Sequence, residues 1–114
     1  MAEHYLDNNR LEEVIKGYQE DPETYGNELA ELFDKLIFNI YRTFKFTIDY
    51  EDARQNCLVL ILNVLKNFDS SKSSAFNYFT TIITNEFRRN YTRQKKYDLK
   101  IETYKQIQED KLES

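Results

Sequence analysis

Only two Gly and one Pro interrupt a chain of 114 residues, where average usage would give roughly 8 and about 6. So few breakers leave little material for hairpins, Gly-rich phosphate loops or the glycine turn of a dinucleotide-binding fold. An all-α fold is therefore predicted. Apolar residues at 40% and charged residues at 32% give the balance of a soluble globular chain of one domain's length.

Helical spacing supports that prediction along most of the chain. Leu11, Val14, Ile15 and Tyr18 follow the i, i+3, i+4, i+7 rule of one helix face. Asp7 or Asn8 can cap this first helix, and Glu12 and Glu13 suit its positive end. Gly17 and then Asp21-Pro22 are read as its stop, with Pro22 to Gly26 as a loop. A second helix is predicted over residues 27–44, from Leu29, Leu32, Phe33, Leu36, Ile37, Ile40 and Phe44. Asp49 caps a third, with Asp52 three residues on in a near capping box, running to about Asn67. Its apolar stripe is wide, so it is expected to be the central, most buried helix. A serine-rich turn over residues 69–74 precedes a fourth helix carrying Phe76, Phe79, Ile83 and Phe87. That helix can run on through a basic stretch into a sparse apolar tail, which on its own is prone to fray. The expected architecture is a compact four-helix fold with a helical extension, divided into an acidic N-terminal helix and loop at 1–26, a domain at 27–92 and a basic then polar helical tail at 93–114.

Charge divides the chain. Residues 1–34 hold ten acids and two bases, whereas residues 85–100 hold six bases and two acids. The whole carries −4, which argues against a general nucleic-acid coat. An acidic head and a basic stretch imply two surfaces with different partners, although each could be no more than a solvated helix face.

Catalytic equipment is scarce. His4 is the single His and Cys57 the single Cys, so multi-Cys zinc cages, the common His-based metal sites and an internal disulfide are excluded. Cys57 lies on an apolar stripe and reads as a small core residue. No metal, cofactor or catalytic role is expected. No apolar run is long enough to span a bilayer and no signal-peptide layout is present, so a cytoplasmic location is expected. More informative is the aromatic stretch Phe76 to Ile83, followed on the same helix by Arg88, Arg89 and Arg93. Aromatic stripes at this spacing pack cores. Exposed rings beside a basic track also hold single-stranded DNA, stacking bases and neutralising phosphates.

Asp52-x-x-Gln55, an apolar-patterned stretch to Lys66-Asn67-Phe68-Asp69, and then Phe76-x-x-Phe79-x-Thr81 resemble region 2 of bacterial sigma factors. The segment from His4 to Glu12, the Asn67-Phe68-Asp69 triplet and the basic run from Arg88 to Lys96 are similar to the late-transcription sigma factors of T-even phages. The resemblance implies a sigma region 2-like fold and an initiation subunit of a bacterial or phage multisubunit core RNA polymerase. It puts Asp52, Gln55, Asn56 and Leu62 against the β′ clamp helices, although Asp52 could equally serve as a cap. It puts Phe76 and Phe79 at positions that capture an unpaired promoter base. Ile82 and Ile83 stand where the family carries paired Trp residues, and Glu86 and Arg89 where it reads upstream −10 bases. Arg88, Arg89 and Arg93 would hold phosphates.

The chain also departs from the family. Phe79 replaces the usual Tyr and lacks its hydroxyl, and Ile stacks poorly on a base although it can wedge between steps. No helix-turn-helix for a −35 element fits on the C-terminal side of Asn90. A sliding-clamp coactivator is implied by the phage members, yet their Leu/Phe-rich C-terminal tail is not evident. The expected function is a region 2-only sigma factor that directs polymerase to late promoters. Its rivals are a polymerase-binding adaptor or decoy that reads no DNA, which the missing Trp residues favour, and a stand-alone DNA-binding domain.

Overall fold

The computed structural model describes residues 6–113, which form four α-helices and, among the described residues, no strand. His4 and Tyr5 lie outside the described residues. The helices are α1 (Asn8–Glu20), α2 (Pro22–Thr43), α3 (Tyr50–Leu65) and α4 (Ala75–Glu113). None of them is long and apolar enough to cross a membrane.

Asp7 caps α1, its carboxylate accepting from the Asn9 N–H at 2.9 Å. The helix passes through Gly17 and stops at the expected Asp21-Pro22. It runs to Glu20, and the expected loop from Pro22 to Gly26 is instead the first turn of α2. Asp21 alone makes the junction. Its N–H donates to the Gly17 carbonyl, while its side chain accepts from the Thr24 N–H and caps α2. Pro22 suits this position because the first helical residue has no partner for an N–H anyway. Gly17 has a packing role. A Cβ there would stand 2.6 Å from the Tyr25 ring, whereas one on Gly26 meets nothing within 4 Å. Gly26→Ala is therefore expected to stabilise the fold by about 0.5–1 kcal/mol through backbone entropy. At Gly17 the displaced ring offsets that gain, so Gly17→Ala should melt below Gly26→Ala. Equal melting temperatures would mean that the ring contact has no weight.

The core collects Leu11, Val14 and Ile15 from α1 and Leu29, Phe33, Leu36 and Ile37 from α2. α4 adds Phe79, Ile83 and Phe87. Phe79 meets Phe33 edge-on at 4.8 Å and Phe68 at 5.2 Å, so its ring joins α2, α4 and the α3–α4 connection. α3 carries a narrower apolar stripe than expected. It buries Ala53, Cys57, Ile61 and Leu65, one residue per turn, and leaves Val59 and Leu62 in solvent. It also ends at Leu65, two residues before the expected stop.

Side chains of α1 hold both ends of the α3–α4 connection. Gln19 Nε2 donates to the carbonyls of Leu65 at 2.8 Å and Phe68 at 3.0 Å, at and just past the end of α3. Glu12 Oε2 accepts from the Ala75 N–H and Asn8 Oδ1 from the Phe76 N–H, both at 2.8 Å. Ser74 Oγ accepts from the Asn77 N–H. These acceptors satisfy the free donors at the start of α4, and the Glu12 carboxylate faces its positive end. Glu12, expected only to suit the positive end of α1, thus fixes where α4 begins. From there α4 runs for 39 residues without a break, about 58 Å at 1.5 Å per residue. The domain and its extension share this one helix.

Candidate functional site

At the start of α3 the cap is Asp49, whose carboxylate accepts from the Asp52 N–H at 3.1 Å. Asp52 itself is exposed in the first turn, so its carboxylate is not committed to capping. Residues on a helix advance by about 100° each. That step puts Asp52, Gln55, Asn56, Val59, Leu62 and Asn63 on one face of α3, opposite the buried set. Arg54 fixes the rotation of the helix from the other side, donating to both carboxylate oxygens of Asp34 on α2 at 2.8 and 3.1 Å. The four residues singled out by the resemblance therefore share one stripe. Val59 joins them unforeseen. At 59% and 54% exposure, Val59 and Leu62 form an apolar step among polar neighbours.

On α4 the structure corrects part of the expected DNA set. Phe79 and Ile83 are 0% exposed and pack the core, because the three- and four-residue spacing that aligned them is the buried stripe of the helix. Neither presents a surface to a base in this fold. Glu86 is also buried, at 3% exposure. Its carboxylate accepts from Arg93 Nη2 at 2.8 Å and pairs with Arg89 Nη1 at 3.4 Å, so it is committed to the two arginines and not to a promoter base. Phe76 is half-exposed at the start of the helix, and Ile82 is half-buried against the core. Arg88 is exposed but stands about 100° round the helix from Arg89.

What α4 does bring together is a track of Tyr78, Ile82, Arg89, Arg93, Lys96 and Lys100, all on one side by the same angular step. Tyr78 and Phe68 are ring neighbours at 5.3 Å, and Tyr78 keeps 37% exposure. The track runs about 33 Å along the helix. Tyr78 was legible as a neighbour of Ile82, and Lys96 and Lys100 as part of the basic run, yet none was singled out as a site residue.

The two stripes meet. Asn56, Val59 and Leu60 of α3 and Glu86 and Arg93 of α4 line one shallow cleft of about 430 Å³. The buried Glu86 carboxylate anchors two guanidinium groups at its rim and so fixes the cationic track against the edge of α3. Burial, helped by the Glu86 charge, pushes the Cys57 thiol up to about 12, so it stays protonated and unreactive at neutral pH. Among the described residues no group of His, Cys, Asp and Glu is placed to hold a metal ion. What this arrangement offers is binding surface: hydrogen-bonding and apolar groups on α3, rings and cations on α4. In comparisons with protein-family models, curated proteins and solved structures, nothing matches this chain.

Proposed function

We propose that the chain is a sigma-like initiation factor that works by binding and carries out no chemistry of its own. Its α3 stripe docks on the β′ clamp helices of a multisubunit core RNA polymerase, and its α4 track holds the opened strand of a late promoter. Its place of action is then the cytoplasm of a bacterial cell, where a phage-encoded factor would meet that polymerase. The observation that carries this reading is the shared stripe of exposed Asp52, Gln55 and Leu62 with half-buried Asn56, adjoining a cationic track through a common cleft. Residues chosen for one partner need not have fallen on one solvent-facing side of a helix.

Burial of Phe79 and Ile83 moves strand capture to other groups. Tyr78 offers a half-exposed ring for stacking, Phe76 another at the helix start, and Ile82 an apolar shoulder. Arg89, Arg93, Lys96 and Lys100 neutralise phosphates. The acidic residues of α1 and the first half of α2 repel free DNA, which makes the factor dependent on polymerase.

The same burial favours a second reading, an adaptor or decoy that occupies the clamp and reads no DNA, since fewer rings are left to receive bases. One experiment separates the two. Core polymerase is mixed with the chain and a forked DNA that carries an A/T-rich single strand. The sigma-like reading expects a ternary complex that Tyr78→Ala weakens about 5- to 150-fold, the worth of one base–aromatic stack. It also expects Lys96→Ala to lower the salt dependence by about one phosphate contact. Polymerase binding with no gain in fork affinity would establish the adaptor instead.

A further inference from the structure

The second half of α4 leaves the bundle. From residue 92 to residue 112 every residue is exposed, although the stretch carries Tyr97, Ile101, Tyr104, Ile107 and Leu112. By the helical step of about 100°, Tyr97, Ile101 and Tyr104 stand in line with Phe79, Ile83 and Asn90. The face that packs the core therefore continues beyond it with nothing against it. A shallow groove of about 770 Å³ runs between Tyr97 and Ile107. An uncovered helix of this length is marginal in water, because helices are held chiefly by what covers their apolar face.

Charge along the extension indicates what covers it. Residues 93–100 hold four bases and one acid, whereas residues 101–113 hold four acids and two bases. A second copy lying antiparallel sets the acidic half of each helix on the basic half of the other. A parallel copy sets like charge on like. Tyr104 lies midway between Tyr97 and Leu112, so an antiparallel pair brings the two Tyr104 side chains to the two-fold axis, with Tyr97 of each copy near Leu112 of the other. Such a contact is self-complementary and closes at two.

We infer that the α4 extension is a homodimerisation element, pairing antiparallel with a second copy of this chain over about 33 Å. The pairing sets the two bundles at opposite ends of a shared two-helix stem. It is separate from the proposed polymerase contact, since it uses neither α3 nor Tyr78, but its basic half includes Arg93, Lys96 and Lys100 of the cationic track.

Sedimentation velocity and cysteine cross-linking of the full chain test it. The chain is expected to be dimeric at micromolar concentration and to loosen as salt rises, because opposite charges oppose each other along the stem. Ile101→Glu with Tyr104→Glu should raise the dimer dissociation constant at least about tenfold without changing the melting of the bundle. Tyr104→Cys should form a disulfide-linked dimer. A mixture of Tyr97→Cys and Leu112→Cys chains should form the heterodimer, while Leu112→Cys alone should not link to itself. Cys57 is fully buried and does not interfere. A monomer at about 100 µM overturns the inference, since an effective association would lie above the working range. A self-linking Leu112→Cys dimer overturns it by showing a parallel pair. So does an extension that cross-links only to added core polymerase. In each of these cases polymerase binding through α3 is unaffected, and the two accounts stand or fall separately.

Discussion

Truncating Phe79 to Ala is expected to destabilise the whole domain by about 3–5 kcal/mol, the range for deleting a buried aromatic. The ring is fully buried and lies within 5.2 Å, centroid to centroid, of both Phe33 and Phe68. Its loss opens a cavity among α2, α4 and the α3–α4 connection that backbones tied by Gln19 and Glu12 cannot readily collapse into. Urea melts followed by circular dichroism measure the effect directly. Phe79→Leu should recover much of the loss by refilling the volume, whereas a role in base stacking would not be recovered by Leu. Tyr78→Ala, one residue away and half-exposed, should melt within about 1 kcal/mol of wild type. A Phe79→Ala variant that melts like wild type would contradict the packing described for this core.

The second large effect is expected at the edge of α3. Val59→Asp combined with Leu62→Asp puts two charges where the proposed polymerase contact is apolar. Both side chains are more than half exposed, so stability should shift by no more than about 0.5 kcal/mol per site. Affinity for core polymerase should fall by about 2–4 kcal/mol, a hot-spot loss corresponding to roughly 30- to 1000-fold. Gln55→Ala with Asn56→Ala removes only hydrogen bonds and should cost about 1–3 kcal/mol. Equilibrium binding by anisotropy, with melting curves of the same variants, separates lost contact from lost fold. Unchanged affinity in the Asp pair would remove α3 from the interface.

Much of the architecture was legible because helical period and caps are local signals. Asp7, Asp49 and Ser74 sit where their helices begin, and the apolar residues of α1 and α2 repeat on one face. The misread points share a cause. Pro22 is compatible both with a break and with a first helical residue, and Asp21 decides between them only when its carboxylate folds back on Thr24. Leu58 to Leu62 is apolar all round, so period alone cannot say that Ile61 turns inward while Val59 and Leu62 turn out. The stripe of Phe79, Ile83 and Phe87 fits a core and a stacking surface equally well until partners are known. Caps from Asn8 and Glu12 span more than sixty residues of chain, beyond any local pattern. Glu86 did carry a readable signal. A carboxylate three residues before one arginine and seven before another is spaced for pairing along a helix, and that reading competes with base recognition on the same residues.

In the proposed function α3 rests on the polymerase clamp. Its most direct test is a photo-cross-linking amino acid substituted at Val59, with the full chain mixed with bacterial core RNA polymerase. A cross-link to the β′ clamp helices is expected that excess of the isolated clamp-helix coiled coil suppresses, with none formed from the same group placed at Leu29 in the core. Cross-links to other polymerase surfaces, or a chain that leaves core polymerase unmodified at micromolar concentration, would contradict it.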